Sequence, residues 1–194
     1  MTPRAYTQSK RADATERTRR AILDATQSLF REERLAELPL ERIAARASCS
    51  SRSILRHFGS REGLMSAAIA DAEAETASTR EAAPGDVPGA IRKLVDHYEQ
   101  SGDEVIRWIA AAESYPLVRQ VVESGERLHL DWVDAVFADD LAALRGAARR
   151  QRRAVLASVT DVYVWQLLRR RGRLGRDATE AAMLDLVEHA RRGR

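Results

Sequence analysis

Apolar side chains return at intervals of three and four along nearly the whole of this chain, and β-branched residues are dispersed rather than gathered into runs. That period puts one apolar stripe on a helix and gives a sheet nothing to bury, so the pattern predicts an all-α fold of about nine helices. A first helix spans about Thr15 to Arg31, with Ile22, Ala25 and Leu29 on its stripe. Pro39 stands where a second begins, and Leu40, Ile43, Ala44 and Ala47 form its inner face. Ser50 is placed to cap a third helix, with Cys49 and Ile54 as a hydrophobic staple, Ile54 and Phe58 inward, and Gly59 at its end. Ser60 caps a fourth carrying Leu64, Ala68 and Ala72, which runs out in the loop Pro84-Gly85-Asp86-Val87-Pro88-Gly89.

Beyond that loop the pattern predicts a helix with Ile91, Leu94, Val95 and Tyr98, a break at Ser101-Gly102, and a helix with Val105, Trp108, Ile109 and Ala112. A long helix follows from Pro116 through Val136 and Phe137, with Gly125 a point of weakness or bending. After a turn near Gly146 comes a helix apolar almost all round from Val155 to Leu168, which must be covered on most sides. Asp177-Ala178-Thr179-Glu180 has the spacing of a capping box with the aspartate as cap for the last helix.

With 194 residues the chain can bury a core without disulfides or metal, and Cys49 has no second cysteine to bridge to. It shows no N-terminal apolar stretch of signal length and no run of about 18 apolar residues, which points to a soluble, cytoplasmic protein with no membrane partner. Charge is strongly segregated. Residues 1–60 carry 12 basic and 7 acidic side chains, residues 61–144 carry 7 and 17, and residues 145–194 carry 13 and 5. A basic first block suits a polyanion, because lysine and arginine release counterions from phosphates, whereas an acidic middle avoids DNA.

The short second and third helices, joined by Ala47-Ser48-Cys49-Ser50, make a helix-turn-helix in that basic setting. Ser51, Arg52, Leu55 and Arg56 share an outward ridge of the third helix, with Ser50 and Ser53 beside them. Arg52 is the expected base reader, since a guanidinium can bond a guanine edge twice, and His57 and Arg61 are expected at phosphates. Arg4, Lys10, Arg11, Arg17, Arg19 and Arg20 form a basic arm that either follows the duplex or stays solvated. The cluster Arg169, Arg170, Arg171, Arg173 and Arg176 reads as cations at a helix C-terminus.

The stretch Ile22-Leu23-Asp24-Ala25 with Leu29-Phe30, then Ile43-Ala44, Ala47, Ser50, Ile54, Arg56-His57-Phe58 and Ser60-Arg61-Glu62-Gly63-Leu64, resembles the N-terminal domain of the tetracycline-repressor (TetR) family. The resemblance implies a DNA-binding domain over residues 1–62 and a helical effector-binding and dimerisation domain over residues 63–194. It also implies a homodimer held mainly by the last two helices, double-stranded DNA with a palindromic operator as partner, and a pocket for a small-molecule effector. The chain departs from the family at Arg34 and Ser48-Cys49, where glycine and glycine-valine are usual. It departs again at Leu38 and Leu55, which stand for a threonine and a tyrosine that contact phosphate.

Tyr98, Trp108, Tyr115, His129, Trp132 and Tyr163 offer apolar faces with polar tips and are the candidates for the effector site. Val155, Val159, Val162 and Gln166, with Met183 and Val187, make an apolar surface too wide for one core and are the expected two-fold interface. His57, His97, His129 and His189 have no metal-ligand spacing and there is no glycine-rich phosphate loop, so no catalytic residue, metal or cofactor is expected. The function expected is that of a ligand-responsive repressor. The alternative is a helical dimeric adaptor that has lost its operator and works through protein contacts.

Overall fold

The computed structural model of the chain describes residues 3–32, 38–83 and 85–192, with side chains described from Asp13 onward. Arg34, Pro84 and the side chains of Arg4, Lys10 and Arg11 lie outside the described residues. Within them every regular element is helical: α1 (Pro3–Glu32), α2 (Leu40–Arg46), α3 (Ser51–Phe58), α4 (Arg61–Arg80), α5 (Val87–Ala111), α6 (Pro116–Val136), α7 (Ala138–Ala142), α8 (Gly146–Val159), α9 (Val162–Gln166) and α10 (Arg176–Arg192). A π-helical turn, Leu167–Arg171, continues α9. The chain divides into two compact units, Met1–Ala72 and Glu73–Arg194, so the division falls inside α4, ten residues beyond the expected residue 62.

In the first unit Ile22, Leu23, Ala25 and Leu29 of α1 close over Ile43 and Ala44 of α2 and Ile54 of α3, all buried. Their spacing is the stripe read from the sequence. The helix that carries α1's stripe begins at Pro3 rather than near Thr15.

In the second unit α5 is central: Ile91, Leu94, Val95 and Tyr98 pack with Trp132 and Val133 of α6, Leu156 of α8, Trp165 of α9 and Met183 and Val187 of α10. Ser101-Gly102 does not break it. Gly102 is buried, and a Cβ there would lie 2.5 Å from the Trp165 ring, so the glycine serves close approach between helices. Gly125 is exposed and α6 runs through it without interruption.

The expected continuous helix from Val155 to Leu168 is instead broken at Thr160-Asp161. The Thr160 hydroxyl donates to Leu156 O at 2.7 Å, and the Asp161 carboxylate accepts from Tyr163 N at 2.8 Å, which starts α9 afresh. The last helix begins at Arg176, so Asp177 lies in its first turn and pairs with Arg176 at 2.9 Å instead of acting as the cap.

These breaks decide which side chains of the C-terminal helices face inward. Val162, Met183 and Val187, expected at a partner surface, are buried in this unit's own core. They are therefore already covered within one chain. Val159 and Gln166 are half-buried, and the exposed large apolar side chains of this region are Val155, Tyr163, Leu167 and Leu186.

Candidate functional site

The turn between α2 and α3 is built by its backbone. Cys49 N donates to Ala44 O at 2.9 Å and Ser48 N to Ala45 O at 3.2 Å, the double closure of a Schellman motif, which needs a left-handed residue between them. Ser48 supplies it at φ +52°. Cys49 is half-buried, and burial pushes its thiol up from the ordinary range, which makes it a packing residue rather than a nucleophile.

Ser50 then caps α3, its side chain accepting from Ser53 N at 3.1 Å. With Ile54 buried, α3 presents Arg52, Leu55 and Arg56 to solvent, and Ser51 and Ser53 are half-buried at the margins of that ridge. Arg56 leans on Ser53 Oγ at 3.3 Å. Leu55 is 42% exposed, as an outward ridge requires.

The two expected phosphate contacts, His57 and Arg61, and the departure at Leu38 are each engaged within the chain. His57 is half-buried, and its Nε2 is covered within the chain without a hydrogen-bond partner. Arg61 donates from Nε to Leu38 O at 3.4 Å, tying the start of α4 to the segment before α2. Leu38 is only 2% exposed, so it belongs to the core and offers no surface where a phosphate-binding threonine would stand.

Nor is the arm uniformly available. Arg20 forks onto Asp71 with two contacts of 2.6 Å and reaches Asp24 at 2.7 Å, joining α1 to α4. The Arg20 guanidinium holds the Asp71 carboxyl below the usual carboxylate range. Arg19 stacks over the Phe58 ring at 5.5 Å, while Arg17 is exposed. Arg46 of α2 pairs with Glu32 of α1 at 2.7 Å. These pairs fix α1, α2 and α4 around α3, so the ridge is carried on a braced scaffold.

In the second unit the structure brings three of the six effector candidates together. His129 stacks on Trp132, with centroids 5.6 Å apart, and Tyr98 donates to Thr160 O at 3.0 Å, while Thr160 Oγ1 lies 3.1 Å from His129 Nε2. Trp108 is half-buried elsewhere on α5, and Tyr115 and Tyr163 are exposed. Sequence reasoning missed Arg80, whose guanidinium lies over the Tyr98 ring at 5.4 Å and whose carbonyl accepts from Trp132 Nε1 at 3.4 Å. Nothing near it in the sequence signals burial, because the residues that cover it come from other helices. Among the described residues no cluster of three or more His, Cys, Asp or Glu is arranged for a metal ion, and no helix is long and apolar enough to cross a membrane.

Of the expected arginine cluster, Arg169, Arg170 and Arg171 do fall in the last turn of the π-helical segment, and three members are also ion-paired. Arg169 meets Glu99 at 2.9 Å, Arg170 meets Asp103 at 2.9 Å and Arg176 meets Asp96 at 2.6 Å.

No curated protein matches the chain. Residues 22–68 match the family model for bacterial regulatory proteins of the tetR family, a span that begins on α1, contains α2 and α3 and ends within α4. A capped, braced helix-turn-helix with a solvent-facing arginine ridge lies within that matched span, so the chain carries an N-terminal helix-turn-helix DNA-binding domain of the kind found in tetR-family regulators.

Proposed function

We propose that this protein is a ligand-responsive repressor which binds a palindromic operator as a homodimer in the cytoplasm and leaves it when a small molecule occupies the second unit. The observation that carries the reading is α3: its inner residue Ile54 is sealed while Arg52, Leu55 and Arg56 stand outward. A dimer sets two such helices in successive major grooves, roughly 34 Å apart. The exposed residues Val155, Tyr163, Leu167 and Leu186, with half-buried Val159 and Gln166 beside them, support a partner surface on the C-terminal helices. An effector acts by binding more tightly to the conformation with low operator affinity, so ligand and DNA oppose each other.

Duplexes retained from a random library by the full chain define the operator, which is then titrated against a scrambled duplex at several salt concentrations. Arg52→Ala is expected to weaken the selected duplex by about 1–3 kcal/mol and to leave the scrambled one nearly unchanged. Equal loss on both assigns Arg52 to the DNA backbone. A chain that retains no duplex at all rejects the operator reading in favour of an adaptor working through protein contacts. In sedimentation, Leu167→Glu is expected to give monomers, and a wild-type monomer at micromolar concentration overturns the dimer.

A further inference from the structure

Arg80 is 7% exposed, and its Nε has no hydrogen-bond partner. Among the described residues no carboxylate forms an ion pair with it, and its charge rests against the face of Tyr98. More exposed arginines of the same unit are treated otherwise: Arg153 meets Asp134 at 2.8 Å, Arg176 meets Asp96 at 2.6 Å and Arg191 meets Asp140 at 3.0 Å. A buried guanidinium without a counter-charge is costly, and an anion arriving from outside would offset that cost. Its cation is felt by its neighbours. Burial, and then the Arg80 charge, hold His97 down to about 3 and push His129 below its ordinary range.

A second buried atom without a partner belongs to the same cluster. Thr160 gives its hydroxyl proton to Leu156 O at 2.7 Å. His129 Nε2 faces Ala157 O at 3.2 Å and therefore carries the ring's proton. That leaves Nδ1 a bare acceptor, buried and unpartnered. Tyr98, His129 and Trp132 add ring faces around these two polar atoms.

Resting on the ligand-responsive reading above, we infer that the effector is a small organic carboxylate on an apolar body, with its anionic group held by Arg80 in the core of the second unit. A bidentate guanidinium–carboxylate pair would complete Arg80, and a donor on the ligand would satisfy His129 Nδ1.

The test is calorimetric titration of the full chain with benzoate, phenylacetate and octanoate, each against its neutral primary amide. At least one acid is expected to bind ten-fold or more tightly than its amide, with that preference lost in Arg80→Gln and partly kept in Arg80→Lys. Acids and amides binding alike, an acid preference unchanged in Arg80→Gln, or no acid binding at all overturns the inference. If Arg80→Gln fails to fold by circular dichroism, the acid-to-amide ratio of the wild type decides alone. Operator titration separates this inference from the reading beneath it. An acid that binds through Arg80 but leaves operator affinity unchanged upholds the anion site and rejects ligand-responsive repression. An operator released by a neutral compound equally in wild type and Arg80→Gln does the reverse.

Discussion

Ser48 occupies a left-handed backbone position at φ +52° where an L side chain crowds the following carbonyl. The closed turn demands that conformation whatever residue stands there, so Ser48→Gly is expected to stabilise the first unit by about 0.5–1 kcal/mol in urea unfolding, with α3 and its ridge unmoved. An unchanged or lowered midpoint shows that the serine side chain contributes more than it strains. Leu38 behaves in the opposite sense. Being sealed in the core, Leu38→Thr is expected to lose about 1–3 kcal/mol of stability and to gain no phosphate contact. At this scale the sequence was informative where causes are local: Ser50 is a cap because its own next turn needs one. Leu38 is opaque for the converse reason, since its burial depends on residues distant in the chain.

Among elements, α3 was legible because an eight-residue amphipathic helix between a cap and a glycine specifies itself. The helix α5 was not. Gly102 reads as punctuation until Trp165, 63 positions later, is brought against it. Gly102→Ala is therefore expected to destabilise the second unit by about 1–3 kcal/mol through a clash, although alanine is the better helix former. A thermal midpoint that rises instead identifies Gly102 as a mere weak point. The break at Thr160-Asp161 was equally hidden, and it changes which side chains of the C-terminal helices face outward. A continuous helix would have kept Val162 in register with Val155, whereas the restart turns Val162 inward and leaves Tyr163 and Leu167 outside. Of the candidate effector residues, Tyr98, His129 and Trp132 converge because each lies on an inward stripe. No stripe could announce Arg80.

For the whole molecule, the segregated charge has a structural cause. The acidic middle block and the basic C-terminal block face each other inside the second unit, through Asp134 with Arg153, Glu99 with Arg169, Asp96 with Arg176 and Asp140 with Arg191. These half-exposed pairs set register more than stability. Acid sensitivity comes from elsewhere. Burial, and then the Arg80 charge, hold His97 down to about 3 and His129 below its ordinary range when folded, while the unfolded chain protonates near about 6.5. Protons thus favour the unfolded state, and stability is expected to fall progressively as pH drops below about 6.5. Melting temperatures at pH 7.5 and 5.5 should differ, with His97→Gln narrowing the gap. A flat profile rejects the assignment.

The pairing also imposes an order in time. A ribosome delivers a chain N-terminal end first, at roughly 5–20 residues per second. The first unit, ending at Ala72, is complete while α5 is still being made. The second must wait for its last fifty residues, because these supply Leu156, Trp165, Met183 and Val187 as well as the arginines that neutralise the acidic block. For several seconds a nascent chain can hold a finished reading head attached to an unclosed, strongly anionic remainder. Translation that stops before α8 leaves that remainder without its counter-charges and without a third of its buried core, a substrate for chaperones and proteases rather than a half-active regulator.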